Sequence, residues 1–144
     1  MNEHKICFII CVNNNLFFEE CVRYIHRLEV PDGVEVELLE IKGASSMTGG
    51  YNEGMHNSNA KYKVYMHQDA FLVNKYFISD IISIFQSDRN IGMIGLVGIQ
   101  KLPESGLMWS GERVPGVYEL EEGWERYRYD RKRDGLWEVE GIDG

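Results

Sequence analysis

The chain has 144 residues, 44% of them apolar, which suits a single domain with a sizeable core. It carries 15 Lys and Arg against 23 Asp and Glu, a net charge of −8. That balance argues against binding nucleic acid or an anionic membrane by bulk electrostatics, but leaves open a small anion handled by a metal ion or helix N-termini.

The first element is KICFIICV, 5–12, a continuous apolar run of the kind found in strands buried on both faces of a parallel sheet. Three asparagines stop it. Phe18, Cys21, Val22, Ile25 and Leu28 then recur at helical spacing, which predicts a helix over 16–29. Glu19 and Glu20 in its first turn and His26 and Arg27 in its last suit the helix dipole. PDG, 31–33, is a turn, and VEVELLEI, 34–41, a second strand.

KGASSMTGG, 42–50, reads as a flexible loop. It fits neither the dinucleotide-binding nor the P-loop glycine pattern. YNEGMHNSNA, 51–60, reads as a short, weak helix and YKVYM, 62–66, as a third strand. Asn74 can cap a helix through Phe85 whose inner face is Ile78, Ile81, Ile82 and Phe85. IGMIGLVG, 91–98, reads as a fourth buried strand. This alternation predicts an α/β fold with a mostly parallel, doubly wound sheet, which binds ligands beyond the carboxyl ends of its strands. CVNN, EIKGASS and HQD occupy those positions. Residues 99–144 differ in composition: GVYEL and LWEVEGI read as strands and GWERYRYDRKRDG as a charged helix or loop. The last strand-like run ends at Gly144, which raises the expectation of a chain that continues.

Cys7 and Cys11 share one strand, four residues or about 13 Å apart, too far for a disulfide. Three cysteines without C-x-x-C suit buried thiols in a reducing cytosol, so a cytoplasmic location is expected. No run approaches the roughly 20 apolar residues of a spanning helix, and no secretory leader is evident.

His67-Gln68-Asp69 breaks the apolar pattern where the third strand ends. It reads as a solvated loop or cap, as a phosphoacceptor aspartate, or as a metal–diphosphate site. The phosphoacceptor chemistry wants an acidic pair after the first strand, where Cys11-Val12-Asn13-Asn14 stands. A divalent ion bridging two phosphates wants hard oxygen ligands, which Asp69 offers, and His67 adds a nitrogen that suits Mn2+ better than Mg2+.

The ordered combination of Asn52-Glu53-Gly54, Ala60 and His67-Gln68-Asp69 among four alternating elements resembles the family 2, inverting glycosyltransferases of the GT-A fold. It is most similar to a bacterial subgroup with a His-Gln-Asp variant of Asp-x-Asp. The resemblance covers residues 5 to about 100, which would form the donor-binding core (1–100). Residues 101–144 would begin the acceptor side of the same domain, where VEGIDG resembles the start of the acceptor-side strand. It implies a nucleotide-diphosphate sugar donor, an unknown acceptor and a divalent metal, Mn2+ or Mg2+. Cys11, Val12 and Asn13 would line the base and ribose pocket, with Glu40, Asn52 and Gln68 also on the nucleotide; Asp69 would hold the metal, with His67 beside it. The family's general base lies after the acceptor-side strand, beyond Gly144, with Asp143 a remote candidate. His67 in place of the first aspartate, and the missing Asp-Gly-Ser after the second strand, are departures from the family pattern.

The alternatives are a nucleotide-binding or scaffold protein of the same fold without transferase activity, and a nucleotidyltransferase. The latter would need an early Gly-rich, Lys-bearing loop that this chain lacks. His4, His26 and His56 read as surface histidines and RYRYDRKR as a solvated face. Trp109, Trp124 and Trp137 suit core or subunit packing better than sugar stacking, which allows for a homo-oligomer.

Overall fold

Five consecutive residues of the first strand, Ile6 to Ile10, have no exposed surface. A strand turns successive side chains to opposite faces, so a run buried throughout needs cover on both sides. The computed structural model supplies it. It describes residues 1–116, 118–122, 125–129 and 135–143, with only the main chain for 118–122, 125–129 and 143. The chain divides into two compact units, Met1–Asn90 and Ile91–Gly144.

In the first unit β1 (Asn2–Val12) lies between β2 (Glu35–Lys42) and β3 (Ala60–His67), both parallel to it, in the order β2-β1-β3. Ile6, Phe8, Ile10 and Val12 pack with Cys21 and Ile25 of α1 (Asn15–Ile25), and with Ile78 of α3 (Phe77–Ser87). Cys7, Ile9 and Ile41 pack on the other face with Tyr51 of α2 (Met47–Asn57). Burying one such side chain is worth about 1.5–3 kcal/mol, so the centre of β1 anchors the unit. Helices cover both faces of a parallel sheet, as the strand–helix alternation predicts.

Several local expectations are corrected. The segment 42–50 is not all loop: Ser46 caps α2, its Oγ accepting from the Gly49 N–H at 3.0 Å, and the helix runs from Met47. Its glycines serve packing. A Cβ on Gly50 would lie 2.5 Å from Cys11 Sγ, and one on Gly54 would lie 2.3 Å from Ile9 Cγ2. The glycines let α2 lie directly on β1. α1 begins at Asn15 and ends at Ile25, so Glu19 and Glu20 fall in its second turn and His26 and Arg27 beyond its end. Asn74 does not cap α3. Its Oδ1 accepts from Tyr76 N–H at 3.0 Å, its Nδ2 donates to Asp80, and the helix starts at Phe77. Ile78, Ile82 and Phe85 reach the core as expected, while Ile81 is not among the residues packed there.

Residues 91–97 do not add a fourth parallel strand. Only Val97 of that stretch is in a strand: β4 (Val97–Ile99) pairs antiparallel with β5 (Arg113–Pro115) and β8 (Gly141–Asp143) in the second unit. Glycines explain the difference. A Cβ on Gly95 would lie 2.6 Å from Ile142, and one on Gly98 2.9 Å from Val139. These positions admit a neighbour's side chain rather than filling a sheet core. Met93 and Leu96 are 74% and 51% exposed, unlike a doubly covered strand.

Part of the charged segment expected as helix or loop is also a strand. β7 (Glu125–Tyr129) forms an antiparallel hairpin with β6 (Tyr118–Glu122). Trp124 and residues 130–134 lie outside the described residues. In LWEVEGI, only Gly141 and Ile142 are in a strand. No helix among the described residues is long and apolar enough to cross a membrane.

Candidate functional site

Three parallel strands end on the same side of the sheet, and β1 has one neighbour on each flank. The helix after β1 covers one face and the helix after β2 covers the other. In the order β2-β1-β3 the connections therefore diverge between β1 and β3, where open α/β sheets leave a crevice. The chain places CVNN and HQD on its two sides.

His67 is the last residue of β3, paired in register with Cys11. Gln68 and Asp69 form a turn closed by the Ala70 N–H donating to the His67 carbonyl at 3.2 Å. Gln68 reaches across to β1. Its Oε1 accepts from the main-chain N–H groups of Asn13 at 2.9 Å and Asn14 at 3.0 Å, and its Nε2 donates to Asn13 Oδ1 at 2.5 Å. Asn14 in turn caps α1, its Oδ1 accepting from the Leu16 N–H at 3.0 Å. One side chain thus fixes the spacing between the end of β1, the start of α1 and the turn after β3. The capping role of Asn14 was missed in the sequence, although a run of asparagines before an apolar helical pattern is a cap signal.

His67 and Asp69 flank this clamp. Both are exposed, and neither side chain takes part in a hydrogen bond or ion pair among the described residues. Asp69 lies close enough to Cys21 of α1 to act on its thiol, which burial first, and then this carboxylate, push up to about 11. Among the described residues no three His, Cys, Asp or Glu side chains are grouped to hold a metal ion. The donor set therefore does not fit an all-protein metal centre. The exposed carboxylate of Asp69 at the strand end suits an ion that takes its remaining ligands from a diphosphate.

The other sequence-predicted residues are placed unequally. Cys11 is half-buried under α2, its thiol donating to the Met47 carbonyl at 3.8 Å. Burial and the nearby Glu53 raise its pKa. Val12 is buried in the core, which leaves mainly its backbone for a ligand. Asn13 is exposed at the crevice. Glu40 stands on the far side of β1, opposite Ile10 in register, and its carboxylate pairs with Lys42 Nζ at 2.7 Å. The two strand spacings from β2 to β3 put it about 10 Å from the triplet. Asn52 is exposed on α2, two residues from each of the glycines that touch β1, so it belongs to the face turned from the sheet. The structure thus brings Cys11, Asn13, His67, Gln68 and Asp69 together and leaves Glu40 and Asn52 at the margins.

In the second unit the main chain of Asp143 pairs with Val97. That unit also holds an apolar groove of about 230 Å3, lined in part by Leu96, Val114, Trp137 and Ile142. Trp109 is exposed, with the Arg113 guanidinium 5.5 Å from its ring centroid.

A parallel sheet with helices on both faces and a polar crevice at the carboxyl ends of its strands defines a ligand-binding α/β protein. Comparison with known families is more specific. Residues 7–144 match a family described as glycosyltransferase-like, and the chain belongs to that family. Membership implies a GT-A-like fold over most of the chain and points to sugar transfer in general. No curated protein and no solved structure matched in the corresponding comparisons.

Proposed function

We propose that this chain binds the nucleotide-diphosphate sugar donor of an inverting glycosyltransferase, with the His67-Gln68-Asp69 turn at the donor diphosphate. The observation that carries the assignment is the Gln68 clamp, which draws the turn with two unengaged metal-type donors against the end of β1 at the crevice. The turn would then be the family's metal-binding element in its His-Gln-Asp form. The N-termini of α1 and α2 stand at the same ends of the strands, where their dipoles favour an anion despite the net charge of −8.

In this account Asp69 is the principal protein ligand of a divalent ion, and His67 a second, weaker one. The ion, Mn2+ or Mg2+, would offset the charge that develops on the leaving diphosphate. Asn13 and the adjoining backbone of Cys11 and Val12 hold the base and ribose, while Glu40 and Asn52 lie where only the outer parts of the donor would reach them. Transfer itself is attack of an acceptor hydroxyl on the anomeric carbon, with the nucleoside diphosphate departing from the opposite face. The hydroxyl proton needs a general base. Asp143, the last residue of β8, is only a remote candidate for it. The site would act in the cytoplasm, the reducing compartment that three free cysteines suit.

Titration calorimetry with nucleoside diphosphates tests the assignment. Binding is expected to be weak, strongest for a uridine nucleotide, and stronger with Mn2+ than with a chelator. Absence of heat for every nucleotide, with and without metal, would favour a scaffold protein of the same fold.

A further inference from the structure

The amide of Gln68 ties the turn after β3 to the end of β1, and its orientation is not free. The N–H groups of Asn13 and Asn14 both donate to one Gln68 side-chain atom. That atom must be the carbonyl oxygen, because the amide nitrogen has only donors. The remaining atom is then the NH2 group, which lies 2.5 Å from one end of the Asn13 amide. A donor at that distance requires an acceptor opposite it, so Asn13 must turn Oδ1 towards Gln68. Two main-chain N–H groups, which cannot be reversed, therefore fix two side-chain amides in sequence. The Asn13 Nδ2, on an exposed residue, is left without a hydrogen bond among the described residues.

We infer that Gln68 is a specificity-determining residue: by holding Asn13 in this orientation it presents an N–H donor, and not an acceptor, to the base of the bound nucleotide. The inference rests on the nucleotide site proposed above. A donor at that point pairs with a carbonyl oxygen and opposes an amino group. Uracil and cytosine are pyrimidines of the same size that differ in this respect at carbon 4, so the site takes uridine diphosphate in preference to cytidine diphosphate. Gln68 does this through Asn13: its Oε1 accepts from two main-chain N–H groups and one N–H of its Nε2 is spent on the Asn13 oxygen.

The test is the ratio of affinities for the two nucleotides, measured with Mn2+ present. The parent should bind uridine diphosphate about tenfold more tightly, the scale of one hydrogen bond made against one opposed. Gln68→Glu keeps an acceptor for both main-chain N–H groups but offers no donor to Asn13. The Asn13 amide then turns over to donate to the new carboxylate, its oxygen faces outward, and the preference should reverse towards cytidine diphosphate, a fall of about a hundredfold in the ratio. Asn13→Asp fixes an outward oxygen directly and should shift the ratio the same way. The added charge weakens both nucleotides alike and cancels in the ratio. Melting curves establish that each variant folds, and Asn13→Asp carries the test if Gln68→Glu does not. A ratio that stays within about twofold of the parent in the folded variants overturns the inference alone, as does a parent with no preference for uridine. A parent that binds neither nucleotide overturns the donor-site assignment, and this inference with it.

Discussion

Gly54→Ala should destabilise the first unit, although alanine is by far the better helix former. The added Cβ would sit 2.3 Å from Ile9 Cγ2 and 3.4 Å from Ile9 Cβ and Cγ1. Ordinary carbon contacts lie at roughly 3.5–4.0 Å, so helix and strand would have to separate by more than about 1 Å. Ile9 cannot give way easily: it is fully buried at the centre of the middle strand. Overpacking of this kind costs about 1–3 kcal/mol or more, against a gain of about 1 kcal/mol from replacing a helical glycine. A contact as short as 2.3 Å puts the cost at the upper end of that range, so the expected net loss is about 2 kcal/mol. Urea unfolding followed by circular dichroism measures it from the shift in midpoint at unchanged slope. Adding Ile9→Leu removes the offending γ2 methyl at constant volume, and the double variant should recover about 1 kcal/mol relative to additivity. Lifting α2 also disturbs the Met47 carbonyl over Cys11, so nucleotide affinity should fall with stability. A Gly54→Ala protein as stable as the parent would refute the close-packing explanation for the glycines of α2.

Other outcomes follow from the same geometry. Asp69→Asn should abolish most Mn2+-dependent nucleotide binding with little change in melting temperature; His67→Asn should weaken binding partly, and His67→Asp should strengthen metal affinity. Paired titrations and melting curves would refute the metal role if Asp69→Asn bound like the parent. At the opposite end of the sheet the Ser58 hydroxyl, then Lys5, hold the Glu37 carboxyl below its ordinary value. A depressed carboxyl contributes stability above its unfolded value and loses it as pH falls through the folded one. Glu37→Gln should therefore flatten the acid limb of the stability curve, by about 1 kcal/mol or less at so open a site, in melting curves from pH 7 to 3. Burial raises the Cys7 and Cys21 thiols to about 11. Alkylation at pH 8 followed by mass spectrometry should label half-buried Cys11 first, more slowly than a free thiol, and uridine diphosphate with Mn2+ should protect it.

The parts of the fold that could be read from the sequence are those governed by local pattern. The run 5–12 announced a strand covered on both faces, and the spacing of Cys21 and Ile25 announced the helix that covers one of them. From Tyr51 onward α2 reads as a weak helix, as it is, but its first turn reads as loop because Gly49 and Gly50 look like loop residues; Gly50 is helical where it lies on Cys11, far away in the chain. The stretch 91–97 misled for the opposite reason. An apolar run interrupted by glycines has the composition of a core strand, and periodicity cannot tell that its glycines receive Ile142 and Val139. At the site, the triplet stood out as polar residues at a strand end. The clamp did not, because Gln68 acts through main-chain groups 54 and 55 residues away, and no pattern in either segment encodes that contact.

The most direct test of the donor site uses the paramagnetism of Mn2+ in an NMR titration of the parent protein with uridine diphosphate present. Bound there, the ion should broaden the amide signals of Gln68, Asp69 and Ala70 first, with those of Asn13 and Asn14, and spare Lys5, Glu35 and Ser58 at the other end of the sheet. Broadening that begins at Glu35 and Glu37, or that is the same with and without the nucleotide, would contradict a metal–diphosphate site at the His67-Gln68-Asp69 turn.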